Sequence, residues 1–264
     1  TTLIDHKDAV LEADDQLSLD IMFIALHGPG GEDGTIQDKL DELNIRYTGS
    51  RGNSSKLAIS KCKSKRLWKQ IGVQTADFKI LNETDDWATT LEGLGGSVMV
   101  KPDSEGSSIG MTQAFNPEQL QDAFRIASKF SEKVIAEKLL TGPEYTVAIL
   151  DGEALPSIQI RSQSNFYDFE SKYLSDKTSF ICPSGLSAFQ EEEIQLLALE
   201  AFNCLGCEGW GRVDLMSDDT GAFNVLEVNT VPGMTKKSLF PKAAEVAGIS
   251  FENLVVRILE TTKL

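Results

Sequence analysis

The sequence predicts a chain of mixed construction, an open α/β unit followed by α+β segments, on three observations. First, "LDIMFIALHGPGGEDG" reads as a buried strand over residues 21–26 running into a glycine-rich turn at 28–34. A helix pattern follows in "TIQDKLDELN", with Ile36, Leu40 and Leu43 on one face. Second, Ser187 precedes a long helix in which Ile194, Leu197, Ala198, Ala201 and Leu205 share a face. Glu191, Glu192 and Glu193 complement its N-terminal dipole, and Gly206 stops it. Third, "GRVDLM", the turn-rich "SDDTGA" and "FNVLEVN" form a hairpin pattern. Only one strand–loop–helix unit precedes the next shift in composition, so the first domain is expected to be short. In open α/β sheets the loops after such strands carry ligands.

Between these landmarks the segment 54–68, "SSKLAISKCKSKRLW", is basic and helical. "SVMVKP" (97–102) is a strand, followed by the loop "DSEGSSIGM". Asn116 and Pro117 supply a cap and a first helical position for "EQLQDAFRIASKF". "KVIAEKLL" and "EYTVAIL" read as strands separated by the turn Thr141, Gly142, Pro143. Residues 160–185 are polar with interleaved aromatics and are expected to be irregular. A segment of that length and composition suits a lid.

Composition narrows the function. Of 264 residues, 25 are Lys or Arg and 40 are Asp or Glu, a formal net charge of −15 with no basic block. That argues against nucleic-acid or anionic-membrane partners. No apolar run reaches membrane-spanning length and no signal-peptide pattern opens the sequence, so a cytoplasmic protein is expected. An anionic small substrate would need a few convergent cations. Lys65, Lys101, Lys138, Lys172 and Arg212 are the candidates. The cysteines are Cys62, Cys182, Cys204 and Cys207. Cys204 and Cys207 form a C-x-x-C, but with two histidines in the chain and no second such pair they read as buried thiols without disulfides.

Two stretches carry chemistry. Alternation puts Arg212 and Asp214 on one face of the first hairpin strand and Val213 and Leu215 on the other. In the second strand Glu227 and Asn229 share a face, with Leu226 and Val228 expected to point away. If the polar faces coincide, Asp214, Glu227 and Asn229 converge as oxygen ligands that suit Mg²⁺. Any one of them alone would be an ordinary solvated strand residue. The second stretch is "EGSSIG" (105–110), whose small residues let backbone N–H groups approach phosphate oxygens. It also matches the G-x-S-x-G nucleophile elbow with Ser108 as nucleophile. That reading fails because the elbow needs a later histidine, and His6 and His27 both precede it. No Walker A sequence occurs.

Taken together, "ALHGPGGEDG", "VKPDSEGSSIGM", "EKLLTGPEYTVAIL", "YDFESKYLSD", "CPSGL", "GCEGWGRVDLM" and "LEVNTVPGMTKKSL" resemble the D-alanine–D-alanine ligases of the ATP-grasp superfamily, in order from about Leu19 onward. The resemblance implies two α+β subdomains sandwiching ATP, behind a truncated open α/β domain. It divides the chain into 1–53, a small subdomain 54–139, and a large one 140–264 with the lid 160–185. Glu137, Lys138 and Leu140 would meet the adenine, and Glu144 the ribose. Lys65 and Lys101 would hold phosphates, with Glu105, Gly106 and Ser108 in the loop over the terminal phosphate.

The same resemblance gives two Mg²⁺ (or Mn²⁺) to Asp214, Glu227 and Asn229, and the transferring phosphoryl group to Arg212. Ser107 and Tyr173 would orient substrate and tie down the lid, and His27 would lie near the substrates. Gly233, Ser238 and Leu239 match positions near the second D-alanine. Two D-alanines would be joined through an acyl phosphate for peptidoglycan synthesis, by a homodimer. Tyr173 in "KYLSD" favours D-alanine as second substrate. The family's first strand and glycine-rich loop have no counterpart before "FIALHG", which keeps open a nucleotide-binding chain without full ligase activity; a separate alternative is a related ligase with another second substrate, such as D-lactate or D-serine.

Overall fold

The structure is a computed structural model that describes residues 20–162 and 178–262, and the statements below concern those residues. The strand expected at 21–26 is reduced to one parallel bridge, Met22 to Tyr47. Met22 exchanges backbone hydrogen bonds with Arg46 and Thr48, but two residues on the Ile24 amide turns to the Thr48 hydroxyl (3.1 Å). The backbone ladder ends there because a side chain takes the donor. Gly31 then packs onto Leu26, where a Cβ would lie 2.0 Å from the carbonyl oxygen, so only glycine closes this turn. Helix α1 (Thr35–Glu42) follows, then α2 (Gly52–Ile59) and α3 (Lys61–Ile71).

Two antiparallel sheets make up the rest. The smaller comprises β1 (Phe78–Leu81), β2 (Val98–Pro102), β3 (Thr112–Ala114) and β4 (Val134–Lys138), in the order β1-β4-β2-β3. Helices α4 (Trp87–Gly93) and α5 (Pro117–Ala127) cover it, with Leu120, Ala123, Val98, Val100 and Ala136 in its core. Asn116 caps α5 by accepting from the Gln119 amide, with Pro117 in the first turn, as expected.

The larger sheet contains β5 (Glu144–Leu150), β7 (Ile158–Ser162), β8 (Thr178–Ile181), β9 (Trp210–Ser217) and β10 (Phe223–Asn229). Its order is β10-β9-β5-β7-β8, and the short β6 (Glu153–Ala154) pairs with β5. The segment read as irregular therefore contains strand on both sides: β7 and β8 pair antiparallel from Gln159–Ile181 to Ser162–Thr178, with 182–185 irregular as expected. Their period-two patterns, "IQIRS" and "TSFI", are short and sit inside polar surroundings, which hid them.

Helix α6 (Ala188–Cys204) begins with a full capping box between Ser187 and Gln190 and covers one face of this sheet. Its core includes Ile194, Ala198, Phe202, Val147, Val213 and Trp68. Helices α2 and α3, though they precede the smaller sheet in the chain, pack here rather than on it, through Ala58, Trp68 and Val73. On the opposite face, α7 (Leu239–Val246) and α8 (Phe251–Glu260) bury Trp210, Ala148, Leu150, Phe240 and Leu254, together with Ile24 and Leu40. That face is apolar at Leu150–Trp210 and polar at Thr146–Asp214, where the register runs along the same strands. All four cysteines are free.

Candidate active site

A cavity of about 810 Å³ lies between the two sheets, a volume that suits a medium-sized ligand. The smaller sheet contributes Met99, Lys101 and Glu137, and the larger contributes Asp214 and Met216. The connection between β4 and β5, residues 139–143, forms one edge, with Lys138 and Glu144 at its ends. Gly142 is needed there because a Cβ would stand 2.4 Å from the Ser217 carbonyl oxygen. The loop 105–108 forms another edge.

Lys101, at the end of β2, is 6% exposed and pairs with Glu137 at 2.8 Å. Lys65 approaches the other carboxylate oxygen at 3.5 Å and donates to the Thr75 hydroxyl at 2.6 Å. Burial by itself would raise the Glu137 pKa, but Lys101 and Lys65 outweigh it and hold the carboxyl below its ordinary value. The same burial pulls Lys65 down to about 8 against the attraction of Glu137. Lys65 is fully enclosed and stands behind Glu137, not on the cavity wall, which corrects its expected role as a phosphate contact. Lys61, one helical turn earlier, occupies the wall instead. Its ammonium donates to the Glu105 carbonyl at 2.7 Å and pairs with Glu227 at 3.2 Å.

The loop after β2 turns sharply. Ser107 and Ser108 have φ of 53° and 60°, and the Ile109 amide donates to the Gly106 carbonyl at 3.2 Å. Two successive positive φ values across such a bond are the pattern of a type I′ turn, normally left to Gly or Asn. Serines held there cost about 1–3 kcal/mol each, a strain typical of ligand-clamping loops.

The hairpin answers whether the polar faces coincide. Glu227 lies directly opposite Asp214, and Asn229 opposite Arg212. The cause is a β-bulge between Val225 and Glu227. Before it, Phe223 and Val225 face the core; after it, Val228 does. Were Leu226 paired one to one instead, it would take the place opposite Asp214 and Glu227 would fall opposite Val213, in the apolar layer. Leu226, expected to point away from the polar face, lines the cavity as the bulged residue. Asp214 is 6% exposed and accepts from Arg212 Nε (2.8 Å) and Nη2 (2.7 Å), the Thr146 hydroxyl (2.7 Å) and Asn229 Nδ2 (3.0 Å). Burial disfavours the Arg212 charge, yet Asp214, Glu227 and Glu32 together raise its pKa above the ordinary value.

Glu32 was not among the expected site residues. It accepts from the Gly28 amide at 2.8 Å, and burial raises its pKa despite that bond and the nearby His27 and Arg212. Its signal was faint, one of two adjacent acids inside a glycine-rich turn. His27 Nδ1 meets the Val231 carbonyl at 2.8 Å. A Cβ on Gly233 would stand 2.8 Å from Ser238 Oγ and 4.0 Å from His27 Nε2, so these three residues cluster. Leu239 opens α7 and packs into the apolar layer beneath. Tyr173 and Lys172 lie outside the described residues.

Chemically, the cavity combines an apolar slot (Met99, Leu140, Met216, Leu226) with the cations Lys61 and Lys101 and a strained Gly/Ser loop. The carboxylates of Asp214 and Glu227 and the amide of Asn229 are hard oxygen donors without thiol or imidazole among them. That donor set fits Mg²⁺ and not zinc.

Two antiparallel sheets closing on such a cavity, with the oxygen donors on a bulged hairpin, define the ATP-grasp class. Within that class, the family description "D-ala D-ala ligase C-terminus" matches residues 67–260, and "D-ala D-ala ligase N-terminus" matches residues 3–50. A D-alanine–D-alanine ligase of Saccharophagus degradans is 49% identical, over 92% of this chain and 77% of that relative. One from Pseudoalteromonas translucida is 47% identical over 98% of this chain and 85% of its own length. The solved D-alanine–D-alanine ligase of Bacillus anthracis superimposes with a TM-score of 0.85 at 36% identity, covering 98% of this chain and 84% of that one. A structure described as that enzyme complexed with ATP gives 0.81 at 35% identity, over 92% and 78%. The chain belongs to the D-alanine–D-alanine ligase family.

Proposed function

We propose that this chain joins two D-alanines into D-alanyl-D-alanine, converting ATP to ADP and phosphate, as a cytoplasmic step of peptidoglycan precursor synthesis. One observation carries the reading: the bulge that sets Glu227 opposite Asp214, beside a cavity walled by Lys61 and Lys101.

In this reading Leu140 and the backbone around Glu137 and Lys138 receive the adenine, and Glu144 the ribose hydroxyls. Lys61 and Lys101 neutralise phosphate charge, and the turn at Gly106, Ser107 and Ser108, entered from Glu105, closes over the terminal phosphate. Asp214, Glu227 and Asn229 would hold two Mg²⁺, for which Mn²⁺ could stand in, and the metal would supply charge neutralisation at the phosphates. A carboxylate oxygen of the first D-alanine attacks the γ-phosphorus and ADP leaves, giving an acyl phosphate. The amine of the second D-alanine attacks the acyl carbon, gives up a proton, and phosphate departs. Arg212 offsets the charge that develops on the transferred phosphoryl group and then on the tetrahedral carbon. Ser107 orients substrate, while His27, Gly233, Ser238 and Leu239 border the second D-alanine. Catalysis is positioning and charge neutralisation without a covalent enzyme intermediate.

The test is ADP release from Mg-ATP with and without D-alanine, with the dipeptide detected by mass. D-alanine-dependent ADP with matching dipeptide is expected. ATP consumption indifferent to D-alanine would sink the proposal. The homodimer that belongs to this reading is checked by light scattering.

A further inference from the structure

We propose that Asp103 is a positioning residue of the nucleotide site, clamping the first turn of α3 to the end of β2 and so setting Lys61 on the cavity wall. The inference rests on reading that cavity as the nucleotide site.

Asp103 is 5% exposed and is the first residue beyond β2. It does not line the cavity. One carboxylate oxygen accepts from the Cys62 amide at 2.7 Å, and the other from the Ser60 hydroxyl at 2.8 Å. Its carbonyl accepts from the Lys61 amide at 3.0 Å, while its own amide donates to the Lys133 carbonyl at 2.9 Å. Three of these bonds land on the consecutive residues 60, 61 and 62. A buried carboxylate normally needs a cation, but the unpaired amides and positive end of a helix N-terminus serve in its place. Burial and the adjacent Asp103 charge push the Cys62 thiol up to about 12, so that sulfur stays protonated beside the clamp.

What the clamp holds is specific. Lys61 is the first residue of α3, and its ammonium spans the cleft from the Glu105 carbonyl on the loop to Glu227 on the larger sheet. Residues 103 and 105 flank one bend, so α3 and the Gly/Ser loop are referenced to a single fixed point. Ser60 caps α3 by itself, accepting from the Lys63 amide. Asp103 is therefore not needed to start the helix. It fixes where the helix starts relative to the loop.

The experiment measures Mg-AMP-PNP affinity by calorimetry, and KM and kcat for ATP, in Asp103→Ala, Asp103→Asn, Lys61→Ala and the double variant Asp103→Ala/Lys61→Ala. Asp103→Ala is expected to weaken nucleotide affinity on the order of tenfold and to raise the KM for ATP more than it lowers kcat. In the double variant the loss should match that of Lys61→Ala alone, because a residue acting through another is non-additive with it. Asp103→Asn keeps an acceptor for the Cys62 amide and should recover most of the affinity. Multiplying losses in the double variant, or an Asp103→Ala with lowered thermal stability and unchanged affinity, would overturn the proposal by making Asp103 merely structural. If Lys61→Ala binds the nucleotide as tightly as the parent, the cavity reading falls, and this proposal with it.

Discussion

Lys61 and Lys65 lie one turn apart on α3 and have opposite fates: one reaches the cavity, the other is sealed behind Glu137. Spacing alone could not separate them, since residues four apart share a helix face. The distinction comes from Thr75, which gives Lys65 a buried partner 10 residues away, and sequence does not announce such a contact. By contrast Lys101 was legible, because a lysine ending a strand directly before a Gly/Ser loop has one obvious place to be. The buried Lys65 also makes stability depend on pH. Its pKa falls from 10.5 to about 8 on folding, so between those values the unfolded chain binds more protons than the folded one. Stability should therefore rise with pH across roughly 8 to 10.5, by about 3 kcal/mol at most from this group. Urea unfolding at pH 8 and pH 10 measures it, and Lys65→Met should remove that component. In the active centre, Glu227→Gln should lower kcat on the order of a hundredfold or more while leaving the far-UV circular dichroism unchanged.

At the level of elements, the β9–β10 hairpin was readable from alternation, and so were its four polar residues. The bulge was not: Leu226 is apolar, so an unbroken strand pattern absorbs it, and only pairing with β9 exposes the extra residue. Deleting Leu226 should close the bulge and bring Glu227 next to Val225, still opposite Asp214. The expected result is D-alanine-dependent ADP release retained with a raised KM for ATP, because the register survives while one apolar wall of the cavity is lost. A folded deletion variant without that activity would mean that pairing opposite Asp214 does not suffice for the site. The same logic governs Gly142 between β4 and β5. Gly142→Ala must displace the Ser217 carbonyl, costing about 1–3 kcal/mol, which a thermal melt reads as a fall of a few degrees. The strands β7 and β8 escaped notice for a different reason: a four- or five-residue strand gives period-two alternation too few cycles to register.

For the whole molecule, the mixed α/β and α+β class was legible, since it rests on element type and order. Which layer each helix covers was not. Helices α2 and α3 precede the smaller sheet in the chain yet cover the larger one, through Trp68 and Val73. The chain then passes between the layers twice, at residues 72–77 and 139–143. The Lys138 amide, bonded to the Asp77 carbonyl, ties the two crossings side by side. Charge is as unevenly divided as topology. The formal charge is −15, and inside the molecule Lys61, Lys65, Lys101 and Arg212 are matched by the carboxylates of Asp103, Glu137, Asp214 and Glu227, so the excess of acid lies on the outer surface. An arriving nucleotide tetra-anion is thus repelled at a distance and held only after entry. Added salt screens the distant repulsion over a Debye length of about 10 Å and also weakens the contacts inside. In a stopped-flow experiment ionic strength should therefore quicken arrival and departure together, leaving occupancy less sensitive to salt than either rate.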